Sequence, residues 1–207
     1  MRAKNKKVIY NKEHTFYYGG RHNMLSIQGL TVIEDYIPKT DEALLLATIG
    51  IQRWRGDLAR RVQHYGYIYD YKARAVDESM YLGPLPDWLQ PLAEQLFEDG
   101  LMPTLPDQAI INEYEPGQGI ADHIDCTPCF GSVVASLSLG GGVTMQFKRE
   151  ELCEEIYLKA RSLLVMEDEC RYHWTHGIPK RKADVLNNHR ILRQRRISIT
   201  FRTVALA

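Results

Sequence analysis

The sequence contains few cysteines and no long apolar run. Only four of its 207 residues are cysteine, at irregular spacing, and the Lys-rich start carries no signal-peptide pattern. Both absences argue against a disulfide-rich secreted domain and favour a reducing compartment, either the cytoplasm or, in a eukaryote, the nucleus. The longest apolar runs, such as residues 43–47, are far shorter than the roughly 20 residues that span a bilayer. We therefore expect no membrane association. A monomer is also expected.

The net charge is zero, but the charged residues are sorted along the chain. Residues 171–207 contain nine lysines and arginines against one acid, and residues 52–74 contain six against two. Residues 77–115 contain nine acids and no lysine or arginine. Charge separated in this way can form one positive face for a polyanion. A solvated surface explains the same runs when nothing else accompanies them.

Short β segments dominate the second half of the chain, and two helices precede them. Helices are predicted at 40–49, with Thr40 or Asp41 as N-cap, and at 86–99, with Pro91 in the first turns. Apolar and β-branched residues predict strands at 109–114, 132–139, 143–147, 155–158, 162–166 and 196–204. Many short strands are typical of a sandwich or jelly roll. We expect an α+β, mainly β, fold with an N-terminal extension (1–107) and a β core (108–207) in one structural unit.

His123 and Asp125 are the first candidates for metal chemistry. In a strand, residues two apart point to the same face, so an imidazole and a carboxylate can converge on one ion. A second histidine would complete the two-histidine, one-carboxylate set of non-haem Fe(II) oxygenases. His173 and His176 are both available, and because their spacing is odd, extended chain would place them on opposite faces. The residues alone leave this choice open.

The last predicted strand presents a polar face. Arg196, Ser198, Thr200 and Arg202 alternate with three apolar residues. Two guanidinium groups on one face suit a dicarboxylate such as 2-oxoglutarate, because arginine binds a carboxylate through two parallel hydrogen bonds. A half-exposed strand with a solvated basic face is the alternative.

Several motifs resemble, in order and spacing, the AlkB family of Fe(II)/2-oxoglutarate dioxygenases. They are Asn112-x-Tyr114, His123-x-Asp125, His176-Gly-Ile, and Arg196 with Arg202 six residues later. The resemblance extends over residues 60–204, and the longer motifs around 112–125 and 161–178 look most like the eukaryotic tRNA-modifying branch. It implies a double-stranded β-helix (jelly roll).

The resemblance also implies roles for individual residues. Iron would be held by His123, Asp125 and His176, with His176 preferred to His173. Arg196 and Arg202 would hold the carboxylates of 2-oxoglutarate, and O2 would be the other cosubstrate. The partners of 2-oxoglutarate would include Asn112, Tyr114 and Ser198.

In AlkB-like enzymes a lid from the N-terminal part recognises the nucleotide, and residues 60–71 match its place. The side chains that would bind substrate are Arg61, His64, Tyr65, Tyr67 and Thr127. Aromatic faces stack on bases and arginines meet phosphates. A tyrosine-rich hairpin packed on the sandwich is the alternative. Thr127 stands where repair members usually carry an acid.

The expected function is therefore oxidative demethylation or dealkylation of nucleobases in single-stranded DNA or RNA, including tRNA. Hydroxylation of a modified tRNA wobble uridine is the alternative, and Thr127 favours it. A hydroxylase of other substrates and an inactive nucleic-acid-binding homologue rank lower.

Cys126 and Cys129 are interpreted as ordinary thiols near the pocket. Residues 177–195 are interpreted as an aperiodic basic loop, mobile over the pocket.

Overall fold

The computed structural model describes residues 8–10, 27–56, 60–70 and 72–206. The Lys-rich start and Tyr71, the last residue of the predicted lid segment, lie outside the described residues. The helices are α1 (Lys39–Ile51), α2 (Gln90–Glu98) and α3 (Asp168–His173). The strands are β1 (Val8–Tyr10), β2 (Leu30–Ile33), β3 (Val62–Tyr65), β4 (Gln108–Tyr114), β5 (Ile120–His123), β6 (Val134–Gly140), β7 (Val143–Arg149), β8 (Leu152–Leu158), β9 (Leu163–Met166), β10 (Thr175–Ile178), β11 (Ala183–Leu186), β12 (His189–Leu192) and β13 (Arg196–Arg202). Within these ranges no helix is long and apolar enough to cross a bilayer.

Two antiparallel sheets form the jelly roll, and the predicted mainly β fold is confirmed. Seven strands form the major sheet, in the order β1-β2-β9-β6-β13-β4-β3, and four form the minor sheet, in the order β5-β10-β7-β8. The six predicted strands correspond to β4, β6, β7, β8, β9 and β13, with ends shifted by at most three residues. Strands β2 and β3 come from the first third of the chain and pair with β9 and β4.

Strand β13, inside the major sheet, has an apolar face toward the helices and a polar face toward the minor sheet. Ile197, Ile199 and Phe201 are buried in a cluster that also contains residues of α1 and α2. The alternate residues of β13 face the space between the two sheets, where they line a cavity: Arg196, Ser198, Thr200 and Arg202. The alternation seen in the sequence is therefore the pleat of a central strand with helices on one side.

The two predicted helices exist, with different beginnings. The predicted N-cap at Thr40 or Asp41 is wrong, because α1 begins at Lys39 and Pro38 occupies the cap position without a side-chain hydrogen bond. Proline suits a helix start because its missing N–H would have no helical partner there. Helix α2 begins only at Gln90, since residues 86–89 form a separate turn, and Pro91 lies in its first turn as predicted.

The basic segment after His176 forms a hairpin, so its interpretation as an aperiodic loop is wrong. Strands β11 and β12 are joined by Asn187 and Asn188, which both have positive φ. Asparagine tolerates this left-handed conformation in tight hairpin turns. The hairpin base is fixed by the buried Asp184 carboxylate, which accepts hydrogen bonds from Arg181 and Arg193 at 2.7 Å each.

Candidate active site

Two histidines face each other across neighbouring strands of the minor sheet. His176 on β10 is the cross-strand partner of His123 on β5, and their ring centroids lie 4.4 Å apart. Asp125 follows β5, and its Oδ2 is 3.6 Å from Nε2 of His176. One donor atom from each of the three residues lies within 4.8 Å of the others. Two imidazoles and one carboxylate in this arrangement suit a divalent metal ion with open coordination positions.

The expected placement of Asp125 on the same strand as His123 is wrong. β5 ends at His123, so Asp125 belongs to the loop that leads to β6. The contacts of that loop, not the pleat of a strand, therefore direct the carboxylate. His173 is exposed on α3 and is not part of the group, whereas His176 is buried on β10.

A glycine allows the two histidine strands to lie close together. Gly177 packs so tightly against β5 that an added Cβ would clash with the Asp122 carboxylate and lie 3.0 Å from the Asp122 backbone nitrogen. This contact gives the His176-Gly177 sequence a physical reason. A side chain at 177 would displace the Asp122 carboxylate and press against the backbone of β5.

The protonation states of the group suit a cation. Nδ1 of His123 lies 2.9 Å from the Ala121 carbonyl, to which it can only donate, so the neutral imidazole carries its lone pair on Nε2. Burial lowers the pKa of His176 to about 4. Burial alone would raise the pKa of Asp125, but the charges of Arg202 and the two histidines outweigh it and lower this pKa to about 2.

Two buried arginines of β13 lie beside this group. Nη1 of Arg202 donates to Oδ1 of Asp125 at 2.8 Å, and its Nε donates to Oε1 of Gln108 at 2.9 Å. Nη2 of Arg196 donates to Oγ of Ser138 at 2.8 Å, whereas its buried Nε has no hydrogen-bond partner among the described residues. Burial lowers the pKa of Arg196 to about 10. The buried N–H of Arg196 is therefore available to an anion.

A cavity of about 350 Å³ connects the histidines with the arginines. Its lining contains all eight residues predicted for metal and cosubstrate: Asn112, Tyr114, His123, Asp125, His176, Arg196, Ser198 and Arg202. Asn112 and Ser198 are cross-strand partners on β4 and β13. Ile110, Met145 and Leu164 supply an apolar part of the wall.

The five residues predicted to bind substrate lie outside this lining: Arg61, His64, Tyr65, Tyr67 and Thr127. The ring of Tyr65 packs edge-on against Trp88, with 5.3 Å between centroids, and Arg61 forms an ion pair with the buried Glu113. His64 and Tyr65 line a second cavity, of about 700 Å³, beside the edge strand β3. Their role in substrate binding stays a prediction.

Three residues that were not among the predicted substrate-binding side chains do line the first cavity: Arg60 and Tyr69 of the predicted lid segment, and Arg74. Nε of Arg60 donates to Oδ1 of Asn112 at 2.8 Å, so the segment before β3 reaches the predicted cosubstrate partners. All three lie within the basic run at 52–74. The sequence signal was therefore present, but it did not distinguish side chains that enter the cavity from those that pack elsewhere.

Cys126 and Cys129 form a disulfide in this structure, so their interpretation as ordinary thiols is wrong. The backbone turns at this point, because Cys129 and Phe130 both donate their N–H to the Cys126 carbonyl at 3.2 Å. Such a turn brings the two side chains together. Cys126 also lines the cavity, directly after Asp125.

Comparison with known proteins gives one family model and several relatives. The model of the 2OG-Fe(II) oxygenase superfamily matches residues 31–202. The uncharacterized protein L905 of Acanthamoeba polyphaga mimivirus is 38% identical over 186 residues, which cover 86% of each chain. The alkylated DNA repair protein ALKBH8 homolog of Arabidopsis thaliana is 36% identical, over 87% of this chain and 59% of that protein.

A mammalian relative and a solved structure are also similar to this chain. The tRNA (carboxymethyluridine(34)-5-O)-methyltransferase ALKBH8 of Mus musculus is 41% identical over 76% of this chain, which spans only 25% of that protein. The solved structure of OsALKBH1 superposes with a TM-score of 0.66 at 16% identity, over 84% of this chain and 96% of that one. At this identity the superposition reports a shared fold.

Proposed function

The chain belongs to the 2OG-Fe(II) oxygenase superfamily and, within it, to the AlkB family, and from this membership we propose that it oxidatively removes alkyl groups from nucleobases of DNA or RNA. It is a dioxygenase, and the metal and cosubstrates of the family are Fe(II), 2-oxoglutarate and O2. The observation that carries the proposal is one cavity in which a His-Asp-His group lies beside two buried arginines.

His123, Asp125 and His176 would hold the iron. Their donor set matches Fe(II), because two imidazoles and one carboxylate leave coordination positions open for a cosubstrate. Iron, with 2-oxoglutarate and O2, supplies the oxidising chemistry that hydroxylates a C–H bond. Arg202 keeps the Asp125 carboxylate ionised and oriented through its 2.8 Å hydrogen bond.

Arg196 and Arg202 would hold the two carboxylates of 2-oxoglutarate, with Asn112, Tyr114 and Ser198 around it. The support is the unpartnered Nε of Arg196, since a buried N–H of a cation without a partner is unfavourable until an anion accepts from it. The apolar residues of the lining would cover part of the cosubstrate and keep water from it.

The base would enter over Arg60, Tyr69 and Arg74, which line the cavity from the lid side. Aromatic rings stack on bases at about 1–3 kcal/mol each, and an enzyme acting on a base must take it out of the stack or use single strands. We therefore propose single-stranded DNA or RNA, including tRNA, as the partner. Arg61, His64, Tyr65, Tyr67 and Thr127 would bind flanking parts of the strand. The monomeric state and the cytoplasmic or nuclear location also remain proposals.

Removal of a methyl group follows from hydroxylation without further catalysis. The hydroxylated N-methyl carbon is a hemiaminal, which breaks its C–N bond and releases formaldehyde. Hydroxylation of a carbon attached to the ring carbon of a uridine would instead leave a stable alcohol. Two observations favour this second function: the 41% identity to a relative named for tRNA carboxymethyluridine, and a threonine rather than an acid at position 127.

The test is mass spectrometry of reaction products with Fe(II) and 2-oxoglutarate. A single-stranded oligonucleotide with 1-methyladenine or 3-methylcytosine and bulk tRNA are incubated in parallel. Loss of the methyl group supports demethylation, whereas a new alcohol in tRNA with an unchanged oligonucleotide supports the second function. Absence of succinate with every substrate would overturn both.

The matched controls are two neighbouring histidines. His176→Ala removes a donor of the proposed metal group and should abolish turnover. His173→Ala removes an exposed histidine three residues earlier and should leave it unchanged. Equal loss in both variants would contradict the assignment of His176.

A further inference from the structure

Arg171 is a buried cation that donates its hydrogen bonds to backbone carbonyls. It lies on the short helix α3, is 2% exposed, and no carboxylate of the described residues is within ion-pair distance of it. Burial lowers its pKa, and the more distant charge of Asp125 opposes that effect without cancelling it. A buried charge is unfavourable unless hydrogen bonds replace those that it made to water, so the partners of this guanidinium are informative.

The guanidinium of Arg171 directs its hydrogen bonds to one loop. Nη1 donates to the backbone carbonyl of Asp125 at 2.9 Å, and Nη2 points to the carbonyls of Cys126 at 3.4 Å and Phe130 at 3.5 Å. Nε donates to the carbonyl of Gly131 at 3.4 Å. Arg171 therefore contacts both ends of the loop that runs from Asp125 to Gly131.

This loop carries two elements of the site. Its first residue is Asp125, whose carboxylate belongs to the proposed metal group but lies beyond the last residue of β5. Near its end, the ring of Phe130 lies 3.9 Å from the guanidinium carbon of Arg202. The far end of the loop pairs with the C-terminal segment, because Gly131 donates its N–H to the Thr203 carbonyl and Cys129 accepts from the Ala205 N–H, at 2.9 Å each. No strand of the described residues includes the part from Asp125 to Cys129, which is held by the turn, the disulfide and Arg171.

We propose that Arg171 is a positioning residue of the metal centre: by holding the Asp125 and Gly131 ends of one loop, it fixes the Asp125 carboxylate opposite His123 and His176. The proposal rests on the proposed metal centre. Only arginine fits this task, because its planar group has five donors in a fixed fork, whereas a lysine ammonium cannot reach both ends of the loop at once.

The experiment measures metal affinity rather than activity. Co(II) is titrated anaerobically into the metal-free full chain and followed by its visible absorption, for the wild type and for Arg171→Lys. We expect the variant to bind Co(II) at least tenfold more weakly, with an altered spectrum and a raised KM for 2-oxoglutarate. Arg149→Lys is the matched control, because Arg149 contacts α3 through Glu169 but is far more exposed. Its affinity should stay within twofold of the wild type.

A second variant covers the case in which Arg171→Lys does not fold. Arg171→Gln removes the buried charge, which favours folding, yet its short amide can reach only one end of the loop. It should also lose at least tenfold in Co(II) affinity. Wild-type affinity and spectrum in either folded variant, even with a lowered melting temperature, would overturn the proposal and leave Arg171 a structural residue. A wild-type chain that binds neither Co(II) nor Fe(II) would instead overturn the metal centre itself.

Discussion

The Arg202 guanidinium donates a 2.8 Å hydrogen bond to the carboxylate of Asp125, and so joins the two halves of the site. One half is the His-Asp-His group, and the other is the basic face of β13. Because Arg202 also donates to Gln108, its orientation is fixed from two sides. Metal binding and cosubstrate binding are therefore expected to depend on one side chain.

Replacement of Arg202 by lysine tests this dependence. Arg202→Lys keeps the charge but loses the fixed fork, and a hydrogen bond to a charged group contributes about 1.5–3 kcal/mol. We expect the KM for 2-oxoglutarate to rise at least tenfold and Co(II) affinity to fall. Arg195→Lys, at an exposed arginine of the preceding loop, is the control. If only the KM or only the Co(II) affinity changes, metal binding and cosubstrate binding do not both depend on Arg202.

Arg196 should matter for the cosubstrate but not for the stability of the ligand-free protein. Arg196→Leu removes a buried charge whose Nε has no partner, so the free energy of unfolding without ligand should stay equal or rise. A ligand at a hundred times its Kd stabilises the wild type by about 2.7 kcal/mol. Thermal unfolding with and without 2-oxoglutarate should show that this gain is absent in the variant. A preserved gain would exclude Arg196 from the binding site.

Gly177 and Gly50 form a matched pair of glycine substitutions. Gly177→Ala places a Cβ against the Asp122 backbone, and we expect a loss of about 1–3 kcal/mol in stability together with weaker metal binding. In Gly50→Ala the new Cβ, on α1, meets nothing within 4 Å. Because alanine has the higher helix propensity, the free energy of unfolding should rise by up to about 1 kcal/mol. Chemical denaturation of both variants measures the difference. Equal effects would contradict the tight packing of β5 on β10.

The exposed basic residues of the hairpin region are predicted to bind phosphates. Lys180, Lys182 and Arg190 are exposed, whereas Arg193 is buried against Asp184. Reversing the three exposed charges should weaken oligonucleotide binding and reduce its salt dependence. The log–log slope should fall by about 0.7–0.9 for each phosphate that these side chains neutralise in the wild type. Turnover of 2-oxoglutarate without nucleic acid should persist.

The same charge reversal at Lys39, on the first helix, is the control and should leave binding unchanged. Binding is measured by fluorescence anisotropy across a salt series. An unchanged slope in the triple variant would place the nucleic-acid interface elsewhere. Parallel loss of uncoupled turnover would point to a folding defect instead.

The two free cysteines should differ sharply in reactivity. Burial raises the pKa of Cys170 to about 12, so at pH 8 only about one part in ten thousand is thiolate, the reactive form. Cys153 is exposed. Alkylation of the native protein followed by mass spectrometry should modify Cys153 alone, and Cys170 only after unfolding or as the pH approaches its pKa. Rapid native labelling of Cys170 would contradict its burial.

The pleat of β13 could be predicted from sequence, because alternation at a period of two is a local property of extended chain. The order of the motifs likewise predicted the family, the jelly roll and the eight metal and cosubstrate residues that line the cavity, but not the side chains that reach it from the lid segment. Local signals did not specify the beginning of α1 or the Asn187-Asn188 turn correctly, since several residues there can serve as caps or turn formers.

Other features depend on interactions between residues distant in the chain. Strand β5 ends before Asp125. The direction of the Asp125 carboxylate depends on hydrogen bonds from Arg171 and Arg202, which are 46 and 77 residues away in the sequence. Tyr65 packs on Trp88 while Tyr69 enters the cavity, although both belong to one tyrosine-rich segment. The amino-acid sequence of this segment does not distinguish a tyrosine that packs in the core from one that lines a pocket. Only the packing of strands and loops in three dimensions decides which of them lines the cavity.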